Sequence, residues 1–144
     1  MKIKFLTVSA ILFLIFLTGA AIGGGTVEDA SRRTLGYIDE DGTVEDSSRR
    51  TIGYFREGTV EDSSRRTLGY ISQGGTFEDS SRRTLGYIDR DGEVEDSSRR
   101  TLGYIGDNGT VEDASRRTIG YSRGIEKKRV AAFYFFYFKE QLKK

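Results

Sequence analysis

The chain of 144 residues contains no Cys, His, Trp or Pro. Without Cys or His there is no thiol nucleophile, no Ser-His-Asp triad, no thioredoxin-type motif and no ordinary zinc site. Without disulfides, an exported domain has to be held by packing and backbone pairing alone. Net charge is also nearly absent, 23 Lys and Arg standing against 22 Asp and Glu. That balance hides a division. Residues 25–124 carry 15 Arg against 20 acidic residues, whereas residues 125–144 carry six Lys or Arg against two Glu. The body therefore lacks a basic field of the kind that binds nucleic acid. The opposite signs suggest that the tail docks on the body, the alternative being a solvated basic terminus.

What is present begins with an export signature. Lys2 and Lys4 precede an apolar run from Phe5 to Leu17 and a small-residue segment, Thr18-Gly19-Ala20-Ala21-Ile22-Gly23. Residues 1–23 read as a signal peptide, or as an uncleaved anchor, because Phe5 to Ile22 just reaches membrane-spanning length. Either form places the body outside the cytoplasm, periplasmic or extracellular. With no Cys, a lipid cannot be attached at the cleavage site.

Residues 25–124 are an internal repeat. The unit, Gly-Thr-Val-Glu-Asp-Ser-Ser-Arg-Arg-Thr-Leu-Gly-Tyr-Ile plus three variable residues, starts at Gly25, Gly42, Gly58, Gly75, Gly92 and Gly109, a period of 17 with a single 16. Two β-prone runs per unit are separated by turn chemistry on both sides. Asp41-Gly42, Gly74-Gly75, Asp91-Gly92 and Asn108-Gly109 suit tight hairpins that need positive φ. The Asp before Ser-Ser or Ala-Ser can accept N–H groups of the turn that follows it. The expectation is twelve short antiparallel strands forming five hairpins, with the first and last strands left over.

One unit offers about four large apolar side chains, at roughly 2 kcal/mol each when fully buried. That does not offset ordering 17 residues at more than about 1 kcal/mol each. The units must share a core, and a ring that pairs first strand with last removes the sheet edges. The fold expected is all-β, a radial or closed array of about five to six short antiparallel hairpins with the aromatic C-terminal segment packed on it. Strand alternation suggests Val, Leu/Ile and Tyr as the packed face, with Ile38 and its equivalents on a second surface toward the tail. The mid-strand glycines Gly36, Gly53, Gly69, Gly86, Gly103 and Gly120 signal close backbone approach or a covering aromatic.

The Asp-Gly hairpins, the recurring Leu/Ile-Gly-Tyr-Ile strand, the export leader and the aromatic terminus together resemble the β-flower repeat proteins of bacteria. The resemblance implies a radial all-β exported domain of four or five hairpins, with no functional residues to carry over. Six units here leave the symmetry open, with one unit completed between the termini or one lying outside the ring.

Residues 125–144 hold the run Phe133-Tyr134-Phe135-Phe136-Tyr137-Phe138. It is too short to span a membrane and too apolar to stay in water unpartnered. It is expected to plug the array or add a strand to it. The alternative is peripheral membrane or partner contact through Phe133, Phe135, Phe136 and Phe138.

Chemistry is sparse. Asp39-Glu40-Asp41-Gly42 and Asp89-Arg90-Asp91-Gly92 look like fragments of a calcium loop, but Tyr37 and Ser48 stand where its outer acidic ligands belong. Paired carboxylates raise a carboxylate-based glycosidase as a remote alternative, opposed by repetition where an enzyme needs one asymmetric cleft. The reading is a non-enzymatic, exported repeat domain without cofactor or metal. It is structural, or it binds an envelope glycan or protein through Tyr37, Tyr54, Tyr70, Tyr87 and Tyr104 with Arg33, Arg50, Arg66, Arg83 and Arg100.

Overall fold

A computed structural model describes residues 24–143. The leader expected over residues 1–23 lies outside the described residues. The repeats form twelve strands: β1 (Gly24–Asp29), β2 (Thr34–Asp39), β3 (Thr43–Asp46), β4 (Thr51–Arg56), β5 (Thr59–Asp62), β6 (Thr67–Ile71), β7 (Thr76–Asp79), β8 (Thr84–Ile88), β9 (Glu93–Asp96), β10 (Thr101–Ile105), β11 (Thr110–Asp113) and β12 (Thr118–Arg123). Each strand pairs antiparallel with its neighbours in sequence, and β1 pairs with β12, so the sheet is a closed barrel of six units. The first and last strands are therefore not left over, as the hairpin count suggested. Pairing them removes the only two edges the array would expose.

Two kinds of turn join the strands, at opposite ends of the barrel. Within each unit the turn is a three-residue loop: Arg32 N–H bonds to Asp29 O and Asp29 N–H to Arg33 O, with the same pattern in the other five. The residue that must turn left-handed is normally Gly; here it is the first Arg of the pair, with φ of 62–65° at Arg32, Arg49, Arg65, Arg82, Arg99 and Arg116. Between units, Gly42, Gly75, Gly92 and Gly109 take that position with φ of 83–91°. The junction that lost a residue is instead a two-residue turn, Glu57 and Gly58 both having positive φ.

Every intra-unit pair carries a β-bulge. Val27 faces Gly36 and Glu28 faces Thr34, so Leu35 is the extra residue; Ile52, Leu68, Leu85, Leu102 and Ile119 hold the same place. The bulge breaks simple alternation, and the face assignment changes with it. The interior is lined by Val27, Val44, Val60, Phe77, Val94 and Val111, all 0% exposed, and by Ile38, Phe55, Ile88 and Ile105. Ile38 stands opposite Val44 and Tyr37 opposite Glu45, so Val and Ile share the inner face. Tyr lies on the outer face with Glu, which corrects the expectation that Tyr would pack with Val.

The tail fills the lumen as a helix. It runs as α1 (Lys127–Ala131), a π-helical stretch (Ala132–Tyr137) and a 3-10 turn (Lys139–Lys143). Val130, Ala131, Ala132, Phe133 and Phe138 are fully buried and Tyr134 nearly so. The tail is thus a plug, and it adds no strand.

Candidate functional site

The plug reads the ring one residue per unit, in reverse order. A Cβ at Gly120 would meet the ring of Tyr134, at Gly103 Phe135, at Gly86 Phe136, at Gly69 Tyr137 and at Gly53 Phe138, all at 2.5–3.0 Å. The carbonyl of the bulge Glu in the next strand is closer still at most of these positions. Both readings of the mid-strand glycine, close backbone and covering aromatic, apply together. At Gly36, in the first unit, the nearest atoms are backbone atoms of Glu45 and Asp46. The hydroxyl of Tyr134 donates to Glu28 O and that of Tyr137 to Glu78 O at 2.7 Å, each also lying near a second carbonyl, Tyr121 O and Tyr70 O. Burial holds both phenols well above their ordinary pKa.

The tail's basic residues anchor its entry. Lys127 Nζ pairs with Asp107, Lys128 Nζ reaches Gln73 O and the Arg129 guanidinium reaches Asp39 O. Three consecutive residues thus hold three alternate junction loops, consistent with the opposite charges of tail and body. Lys127 in turn pulls the Asp107 carboxyl below its usual pKa.

On the outside, each first Arg crosses to the preceding unit. Arg49 lies over Tyr37, Arg65 over Tyr54, Arg82 over Tyr70, Arg99 over Tyr87, Arg116 over Tyr104 and Arg32 over Tyr121, with 3.3–3.6 Å from guanidinium carbon to ring centroid. The same guanidinium pairs with the Glu four residues earlier in its own unit. This girdle closes on itself, and it covers one face of every Tyr named as a candidate ligand residue. Sequence spacing gave the residue types but not which Arg of the pair would stack.

The second Arg of each pair behaves differently. The Nε of Arg33, Arg50, Arg66, Arg83, Arg100 and Arg117 donates to Oδ2 of the Asp four residues earlier at 2.7–3.1 Å. The other oxygen of that Asp accepts two backbone N–H groups of the turn, Ser31 and Arg33 in the first unit. These bonds, led by the backbone N–H of the second Arg, hold Asp29, Asp46, Asp62, Asp79, Asp96 and Asp113 below the usual carboxylate pKa. The six arginine side chains are 80–82% exposed, but their carboxylate partners only 11–26%. The turn end of the barrel therefore presents a ring of six oriented guanidinium groups, the five expected from sequence and Arg117.

Turn chemistry also accounts for the calcium-loop fragments: Asp41 accepts the N–H of Thr43, and Asp89 that of Glu93. Among the described residues no group of acidic side chains is placed to hold a metal ion.

These features define a class: a closed ring of repeated β-hairpins, plugged by an aromatic helix and girdled by Arg-Tyr stacks. Residues 24–139 match the family described as 5-fold beta-flower protein, and the chain belongs to that family. No curated protein and no solved structure matches the chain. The family is not a known class of enzyme.

Proposed function

We propose that the chain is an exported, non-enzymatic module of the bacterial envelope that binds, through its turn end, the repeated anionic groups carried there on glycan or lipid. The observation that carries this reading is the asymmetry of the turn ion pairs, with arginine side chains at least 80% exposed in front of aspartate side chains that are mostly shielded. Each guanidinium is fixed by its Nε and keeps N–H donors for phosphate or carboxylate oxygens. A single such contact is weak, because the paired Asp neutralises its charge; six in one ring gain by multivalency.

Export is supported by the charged, apolar and small-residue succession of residues 1–23. The reading without catalysis is supported by the six intra-unit turn aspartates, whose pKa values are pulled down, the opposite of what a general acid requires; burial raises that of Asp39 in a junction loop. The test is binding of dextran sulfate against neutral dextran, with Arg66→Gln/Arg83→Gln/Arg100→Gln beside the parent. Salt-sensitive binding of the sulfated polymer, weakened at least about tenfold in the variant, is expected. Equal binding of both polymers would replace the anionic reading with charge-independent glycan contact, and binding of neither would leave the ring a structural module only.

A further inference from the structure

We infer that the turn end docks on an anionic lipid surface, with Leu68, Leu85 and Leu102 and the exposed edges of Phe135, Phe136 and Tyr137 facing the headgroups and the arginine ring contacting phosphates around them. The inference rests on the anion-binding reading above and names its ligand. Toward the junction side Val130 to Phe133 are 0% exposed, and the clefts that open there, beside Phe55, Ile71 and Ile88, are lined by Lys127, Lys128, Arg129 and Glu126 of the tail's entry. At the turn end the closure is uneven. Leu142 shares its clefts with Leu35, Ile119 and Ile52, so the C-terminal turn lies over the first, second and sixth units. The plug aromatics on that side, Tyr134 and Phe138, are buried. On the other side Phe135, Phe136 and Tyr137, set against the fifth, fourth and third units, keep part of their surface exposed. All six bulge residues keep part of their surface exposed; Leu35, Ile52 and Ile119 share clefts with Leu142, whereas Leu102, Leu85 and Leu68 line neither of those clefts.

The rim selects the occupant. An apolar mouth bordered by Arg66, Arg83 and Arg100, each more than 80% exposed and paired to a shielded Asp, would set N–H donors against N–H donors, with no acceptor between them, if a second copy covered it. Lipid phosphates supply acceptors for those donors, while aromatic rings and long cationic side chains are the groups that settle at that depth. Phe133 and Phe138 are fully buried, so the contact made by the tail belongs to Phe135, Phe136 and Tyr137.

The chain has no Cys, so single cysteines placed by Ser81→Cys at an intra-unit turn and Gln73→Cys at a junction loop accept a polarity-sensitive dye without competition. The full chain is mixed with phosphatidylcholine vesicles, with and without phosphatidylglycerol, and with dextran sulfate. The expected result is a blue shift at position 81 on phosphatidylglycerol vesicles, with position 73 unchanged. Leu85→Ser/Leu102→Ser should weaken that vesicle response more than about tenfold while leaving dextran sulfate binding intact. Dextran sulfate binding with no shift at position 81 overturns the lipid inference and leaves the arginine ring as a polymer site. A shift at position 73 alone, or vesicle binding indifferent to the leucine changes, also overturns it. Failure to bind either ligand overturns both readings.

Discussion

Alanine at Gly86 tests whether the backbone or the plug makes glycine obligatory in the middle of each second strand. A Cβ there would stand 2.7 and 2.8 Å from two ring carbons of Phe136, and nearer still to the carbonyl oxygen of Glu95, whereas real Cβ atoms essentially never come within 3.0 Å of such atoms. The phenyl ring is partly exposed and can swing by a few tenths of an ångström. The carbonyl belongs to a bulge inside a closed ladder, and moving it moves two strands. Overpacking a core costs about 1–3 kcal/mol, and an immovable carbonyl puts Gly86→Ala at the upper end. For a domain of this size that is a fall in melting temperature of about 10 °C. Gly74→Ala is the control: its nearest neighbour would be Ser72 Oγ at 3.8 Å, and the variant should be neutral or gain up to about 1 kcal/mol. The deciding variant is Gly36→Ala, whose Cβ would meet the Glu45 carbonyl but has no aromatic among its nearest atoms. If the carbonyl decides, Gly36→Ala and Gly86→Ala fall together in scanning calorimetry. A mild Gly36→Ala beside a severe Gly86→Ala would refute the backbone argument and give the role to the plug.

Other changes probe the turns and the plug. At Arg82, whose φ is 65°, Gly should be tolerated better than Ala. Ala keeps a left-handed backbone worth about 1–2 kcal/mol and loses the stack on Tyr70, whereas Gly loses the stack but removes the strain; chemical denaturation that ranks Ala above Gly sinks this account. Because the turn aspartates have lowered folded pKa values, the folded state binds protons less readily than the unfolded. Their contribution is thus complete above the ordinary carboxylate range and lost as pH falls through it toward the folded values. Melting temperature should hold steady down to about pH 4.5 and drop below about pH 4, less steeply in Asp46→Asn/Asp79→Asn. Tyr134→Phe removes the buried donor to Glu28 O and should cost about 1–3 kcal/mol, against near-neutrality for Tyr37→Phe on the outer face. Ending the chain at Gly124 removes five fully buried residues, Val130 to Phe133 and Phe138, and should abolish cooperative melting.

How far the sequence spoke depends on which residues carried periodic information. The 17-residue spacing, the Asp-Gly junctions and the mid-strand glycines dictate strand count, turn positions and a shared interior, because those residue types have few other conformational uses. The inner and outer faces were not legible. Reading Leu35, Gly36 and Tyr37 by strict alternation ignores the extra residue at Leu35, and no residue type marks a bulge whose αL turn residue is Arg rather than Gly. The two arginines of each unit are also indistinguishable by type. Which one stacks and which one faces solvent follows from the left-handed turn, which aims Arg49 back over Tyr37 and leaves Arg50 beside Asp46. Similarly the aromatic run announced burial without revealing helix, since its six consecutive rings suit any element that is surrounded on all sides.

Being surrounded on all sides also explains why the tail winds as a π-helix. Consecutive side chains of an α-helix, with 3.6 residues per turn, stand about 100° apart, whereas six units round a ring stand about 60° apart. A helix meant to set one side chain against each successive unit must be wider than α. The bond from Phe138 N–H to Phe133 O closes a wider turn of the i→i+5 kind, and across that turn Tyr134, Phe135, Phe136, Tyr137 and Phe138 address five successive glycines. With about 4.4 residues per turn, roughly 80° apart, the π-helix comes closer to the roughly 72° spacing of a five-unit ring, the symmetry named for the family, than to the spacing of six units. This ring has six, and the unit left over is the first, where no aromatic is among the nearest atoms to Gly36. Phe133, one turn earlier, fills that sector from above, its ring 5.4 Å from Tyr134 and 6.2 Å from Phe138, the aromatics of the two flanking units. Leu142 fills it from below, beside Leu35. The mismatch between a π-helical turn and a six-unit ring therefore sets where the C-terminal turn lies, and so which side of the mouth it covers.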